Sequence, residues 1–176
     1  AIELFYSHGF QAVAVDQILS AAGVTKTTFY QHFESKDDLV VAAIQQRDQW
    51  EMQAWTNAVQ KMVGNDPRRQ LLAFFDVLDF WFNAPDFRGC QFINAAAEFP
   101  NPYDPVHAVA AKHKRKNRDF FRDLASAAGA VEPESFADRY TALVEGTLVL
   151  RQVHGRDDAA KVIKPAVESL VAEALQ

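Results

Sequence analysis

No segment of the chain carries a strand-like pattern of useful length; its apolar residues recur at spacings of three and four. That property restricts the fold to helices packed on helices. The segment "PRRQLLAFFDVLDFWFNA", residues 67–84, goes further. Its apolar residues cover nearly the whole helical circumference, which marks a central, buried helix. At 176 residues and 49% apolar content, the chain can enclose such a helix in a core.

Glycines, prolines and capping residues divide the rest. Residues 1–8 read as the end of a helix stopped by Gly9. Because the sequence opens inside that pattern, further residues are expected upstream, where a basic arm could lie. Asp16 is expected to cap a second helix with Ile18, Leu19 and Ala22 on its buried side, and Gly23 to stop it. Thr25 is the expected N-cap of a short helix from Lys26 to His32. Ser35 caps a fourth, running through Trp50 and Trp55 to about Val63, and Asp37 and Asp38 suit its first turn. Pro85, Gly89, Pro100, Pro102 and Pro105 break the next stretch into loops around one short helix. Helices then follow over 106–128, from Pro133 to about Val153, and from Asp157 or Asp158 onward. The expected fold is all-α: an N-terminal three-helix bundle with a helix-turn-helix, residues 1–46, then a larger helical effector-binding and dimerisation domain, residues 47–176.

The formal charge of −5 argues against a protein that coats nucleic acid with its whole surface. A local contact stays open, although residues 1–46 hold two lysines, no arginine and five acids. Cys90 is the sole cysteine, which excludes an internal disulfide and a multi-cysteine zinc site. No signal peptide and no apolar run of membrane-spanning length occur, so a reduced, cytoplasmic setting without a membrane partner is expected. There is no Gly-rich phosphate loop and no convincing nucleophile–base pair. His107 and His113, six apart, are poorly aligned on a helix for a metal. Neither an enzyme nor a cofactor or metal site is expected.

Chemistry concentrates in "AAGVTKTTFYQHFESKDDL", residues 21–39. Val24, Phe29 and Phe33 are natural core contacts of a small unit. Thr27, Thr28 and Gln31 then project around the other side, offering hydroxyls and an amide that can bond phosphates and base edges. Lys36 stands in the first turn of the fourth helix, a poor place for a cation unless it meets an anion. Thr25, Lys26, Tyr30 and Lys36 could thus clamp a strand. His32 suits a phosphate donor, a helix-end cap or a packing residue. A solvated hairpin with Tyr30 half-buried and both lysines idle fits the same residues equally well.

The segment "VAVDQILSAAGVTKTTFYQHFESKDDLV" closely resembles the DNA-binding region of TetR/AcrR-type transcriptional regulators. The glycine, the small hydroxyl residue, the Phe-Tyr pair, the second Phe and the Lys all fall at family spacing; the remaining chain matches in helical layout and length. The resemblance implies a homodimeric regulator, usually a repressor, whose small N-terminal module binds an operator. Its larger domain would dimerise and hold a small-molecule effector. By position, Thr25 and Lys26 would begin the recognition helix, and Thr27, Thr28 and Gln31 would contact bases or backbone. Tyr30, His32 and Lys36 would meet phosphate. Many members have glycine where this chain has Thr27, so its sequence preference is expected to differ.

In the larger domain, Val106, Ala110, His113, Asn117, Phe120 and Leu124 share one helical face. His113 and Asn117 are polar groups on an apolar stripe, either satisfied inside the core or lining a pocket. Phe74, Phe75, Leu78, Trp81 and Phe82 could wall an apolar cavity with Phe92 and Asn94 from the irregular segment, suiting a hydrophobic or aromatic effector. Aromatics at this spacing are more often plain core than pocket. The basic run "KHKRKNRDFFR", residues 112–122, reads best as a solvated helix face. Tyr140, Leu143, Val144, Thr147 and Leu148 form one stripe near the C-terminus, and Ile163, Ala166, Val167, Leu170 and Val171 form another. Paired with their symmetry mates they would make a four-helix dimer interface; packing within the chain is the alternative. A twofold dimer predicts a roughly palindromic operator. A different outcome is a helical small-molecule-binding protein or enzyme that has lost DNA binding.

Overall fold

The computed structural model describes residues 1–175, and among them nine α-helices and no strand. They are α1 Ile2–His8, α2 Val15–Ala22, α3 Lys26–His32, α4 Lys36–Val63, α5 Pro67–Phe82, α6 Gln91–Glu98, α7 Pro105–Ala127, α8 Pro133–Gln152 and α9 Ala159–Ala174. The all-α expectation and its helix order hold. Local chemistry explains the boundaries. The Thr28 N–H donates to Thr25 Oγ1 and the Asp38 N–H to Ser35 Oγ, each at 3.1 Å, which caps α3 and α4. Asp66 caps α5 through the Arg69 N–H at 3.0 Å, with Pro67 at the first helical position.

One cap differs from expectation, and another falls at an expected residue that uses its carboxylate elsewhere. α2 starts one residue before Asp16, because Gln17 folds back and its Oε1 accepts the Ala14 N–H at 2.7 Å. At α9, Asp158 holds the N-cap position, yet Arg156 binds its carboxylate in a two-pronged pair at 3.0 and 2.9 Å.

The chain divides into two compact units. The first comprises residues 1–50 together with 90–114; the second comprises 51–89 together with the chain from 115 onward. Both boundaries fall inside long helices, α4 and α7. The first unit is built on Phe5, Phe10, Ile18, Phe29, Ile44, Phe92 and Phe99, all buried. Phe10 lies 5.4 Å from Phe5 and edge-on to Phe99 at 6.4 Å. Phe29 is buried and Phe33 half-buried, but Val24 stands 40% exposed, because its side chain follows the α2–α3 turn outward.

In the second unit, α5 packs against α9, and α8 against α9. Leu71, Phe74, Phe75, Leu78 and Phe82 of α5 are buried, as the all-round apolar pattern requires. Phe74, Phe121 and Tyr140 meet ring to ring at 4.9 and 4.5 Å, and the Tyr140 hydroxyl donates to the Leu71 carbonyl at 2.6 Å. Phe80 breaks the pattern at 82% exposure. Around it α5 is polar: Asp76 pairs with Lys164, and Asp79 with Lys161 at 3.1 Å.

Candidate nucleic-acid interface

Gly23 ends α2 in the left-handed region, at φ 66° and ψ 30°, a conformation that costs a residue with a Cβ and lets the chain leave the helix. α3 follows at once. Its buried side is Phe29, and its outer side is polar: Lys26, Thr27, Tyr30, Gln31 and His32 are all exposed. The Tyr30 ring rests edge-on against Phe29 at 5.1 Å, which fixes its direction while leaving it 51% exposed. Among the described residues nothing accepts from the Tyr30 hydroxyl, the Lys26 ammonium or the Gln31 amide. The Lys26, Tyr30 and Gln31 side chains, unspent on the chain itself, are equipped to bind something else.

Thr25 and Thr28 are placed differently. Their hydroxyls lie 2.9 Å apart, and Thr25 Oγ1 is already the cap acceptor. Lys36 is half-buried and not idle, since its Nζ donates to the Gln11 carbonyl at 3.0 Å. The eight expected DNA residues therefore share one unit, six of them around α3 with Thr25 at its cap and Lys36 at the start of α4.

The residues expected to meet an effector fall in both units. In the second, Phe75, Leu78 and Phe82 are buried, and Trp81, Asn117 and Phe120 half-buried. Trp81 is the centre of an aromatic group, with Trp55 at 5.5 Å, Phe82 at 5.6 Å and Phe87 at 5.0 Å. In the first unit, Phe92 and His113 stack face to face at 3.4 Å, and Asn94 is half-buried. His113 Nδ1 lies 2.9 Å from Asp48 Oδ1, both side chains being buried. Sequence reasoning missed Asp48, although it occupies the stripe Val40, Ile44, Asp48 at helical spacing. It also missed Gln91, 3% exposed, whose amide oxygen and nitrogen are both unpaired. A cleft of about 480 Å³ opens in the first unit beside Ile2, Phe33, Leu39 and Gln46, and none of the expected effector residues lines it.

The expected dimerisation residues lie in the second unit. Tyr140, Val144, Thr147, Leu148, Val167, Leu170 and Val171 are buried within the chain itself; Leu143 and Ile163 are half-buried, and Ala166 is exposed. The basic run behaves as a solvated face in part. Arg118 pairs with Glu134 and Asp138, and Arg122 with Asp119 and Asp123.

Residues 1–43 match the family model for bacterial regulatory proteins of the tetR family, and residues 67–167 match the model for the tetracyclin repressor-like C-terminal domain. The chain belongs to the TetR family. A solved TetR-family transcriptional regulator from Streptomyces coelicolor is 27% identical and superposes with a TM-score of 0.88, covering 100% of this chain and 92% of that one. The HTH-type transcriptional activator FasR of Mycolicibacterium smegmatis is 32% identical over 116 residues, 65% of this chain and 48% of its own length. The Tn10 TetC protein of Escherichia coli is 46% identical over 44 residues, 25% of this chain and 22% of that protein. The alignments thus span about half or less of these curated relatives. Among the described residues no helix is long and apolar enough to cross a membrane, and no cluster of three or more His, Cys, Asp or Glu could hold a metal.

Proposed function

We propose that the protein is an effector-responsive transcriptional repressor that binds a roughly palindromic operator as a homodimer. The outward polar face of α3, with Tyr30 braced by Phe29 and its hydroxyl unspent, is the observation that carries this reading. Thr27, Tyr30 and Gln31 meet base edges or backbone, Lys26 and His32 meet phosphate, Thr25 and Thr28 hold the helix start, and Lys36 adds a cation beside it. FasR is named an activator, so the direction of control is tested separately with an operator-linked reporter.

Dimerisation falls to the faces of α8 and α9 that the chain leaves open. On α8 and at its C-cap, Ala142, Gly146, Val149 and Val153 are exposed at spacings of three and four; on α9, Val162, Ala166 and Ser169 are. A Cβ built on Gly146 meets nothing within 4 Å, so a partner helix can approach there closely. Most of the stripe first expected at the interface is the inward side of these helices. Gly146→Arg should convert a dimer to a monomer in sedimentation equilibrium. An unchanged mass would discard this face.

The aromatic group around Trp81 supports a hydrophobic or aromatic effector. Such a ligand releases DNA only by binding the DNA-incompetent arrangement more tightly. The deciding experiment selects bound fragments from random duplex DNA with the purified protein and follows the winner's affinity across salt. A palindromic winner supports the reading. A folded dimer that enriches no sequence overturns it.

A further inference from the structure

We propose that Glu98, the last residue of α6, is a positioning residue for DNA reading: it locks the corner between α1 and α2 and, through Gln11, seats Lys36 at the start of α4. The inference rests on the DNA-binding reading above and adds to it a residue far from the recognition helix in sequence.

Both carboxylate oxygens are used. Oε1 accepts the Phe10 N–H at 3.0 Å and Oε2 accepts the Gln11 N–H at 2.7 Å. Two successive backbone amides turned toward one anion make a small nest, and charged acceptors bind such groups more strongly than neutral ones. The turn that presents them needs Gly9, at φ 84°; a Cβ there would also come within 3.0 Å of Glu98 Oε1. Phe10 leaves the same corner and packs edge-on against Phe99, the residue after Glu98. His107 Nδ1 in turn sits 2.8 Å from the Phe99 carbonyl, fixing the end of α6 from α7.

Gln11 is held on both sides. Its N–H goes to Glu98, and its carbonyl accepts from Lys36 Nζ at 3.0 Å. Lys36 opens α4 four residues after α3 ends at His32. The acid, the Gln11 backbone and the lysine therefore form one hydrogen-bonded chain linking the end of α6 to the start of α4, all inside the first unit.

This arrangement reverses the sign expected of a surface acid. Removing a negative charge from a protein that binds a polyanion should strengthen binding or leave it alone. If Glu98 positions the corner, removing it weakens specific binding. The test measures Glu98→Ala and the isosteric Glu98→Gln against wild type on the selected duplex and on a scrambled duplex, below the unfolding transition. Specific affinity should fall roughly tenfold, the loss carried by one charge-assisted hydrogen-bond pair. Affinity for the scrambled duplex should hold or rise, and the salt slope should stay unchanged, since no phosphate cation is lost. Amide exchange at Phe10 and Gln11 should accelerate. If Glu98→Ala does not fold, Glu98→Gln carries the comparison. Equal or tighter specific binding overturns the inference, and so does a parallel loss on both duplexes. A wild type that selects no duplex fails at the earlier step and overturns the DNA-binding reading itself.

Discussion

Two tyrosines separate the two units. Tyr140 is completely buried, donates to the Leu71 carbonyl at 2.6 Å, and burial pushes its hydroxyl pKa well above the ordinary value. Tyr30 is half exposed, leans on one ring and has no acceptor for its hydroxyl among the described residues. The second unit turns its chemistry inward and gains a packed core; the α3 face turns it outward and gains a surface. Substitutions should therefore divide cleanly, some costing stability without touching recognition and others the reverse.

The largest expected effect lies at Phe121, which meets Phe74 at 4.9 Å and Tyr140 at 4.5 Å in the buried cluster. Phe121→Ala should cost about 3–5 kcal/mol by lost transfer energy and cavity formation. Urea unfolding checks it, while the folded fraction should still prefer the same duplex. A loss of duplex preference in fully folded protein would blur the division. Next comes Asp48. Asp48→Ala leaves buried His113 Nδ1 without this acceptor and should cost about 1–3 kcal/mol. A change under about 0.5 kcal/mol would show that the site readily re-satisfies itself.

The helix order, the caps at Thr25 and Ser35 and the helix start at Pro67 were legible because they rest on local chemistry: hydroxyl acceptors, proline and glycine boundaries and the 3.6-residue period. The outward direction of Thr27 and Gln31 was legible for the same reason, whereas Thr28 is half-buried with its hydroxyl against Thr25 and Tyr30 is more exposed than a half-buried packing residue. Glu98 was not, since its partners Phe10 and Gln11 lie 88 and 87 positions away and periodicity carries no such information. The α8 and α9 stripes show a different limit. Apolar spacing identifies a helix's buried side without saying whether the chain or a second copy covers it. Tyr140 and Val167 proved to be covered by the chain, while Val149 and Val153 remain open. Arg118 likewise reads as part of a basic run until Glu134 and Asp138 are placed beside it.

The paired tyrosine substitutions sharpen the comparison at smaller cost. Tyr140→Phe removes one buried hydrogen bond and leaves the Leu71 carbonyl short of a donor, so about 1 kcal/mol of stability should go with no change in duplex affinity. Tyr30→Phe should leave stability within about 0.5 kcal/mol, as for other exposed positions, and should weaken duplex binding several-fold if the hydroxyl meets phosphate. The pattern fails if both variants lose binding together or if neither changes anything.

The smallest effect is expected on the solvent side of the second unit. Arg118 donates to Asp138 at 2.7 Å and holds its carboxyl below the usual range, chiefly through that hydrogen bond. A depressed carboxyl pKa contributes stability above the unfolded value, about 3.9, and loses it as pH falls through the lower folded value. Asp138→Asn should therefore be slightly less stable than wild type near pH 7, and the two urea midpoints should converge as the solution is acidified through the lowered folded value. Because the pair is exposed, added salt should narrow the neutral-pH gap as well. A gap that persists in acid would instead trace to the packing of the substituted side chain, and the ion pair would then contribute nothing measurable to the fold.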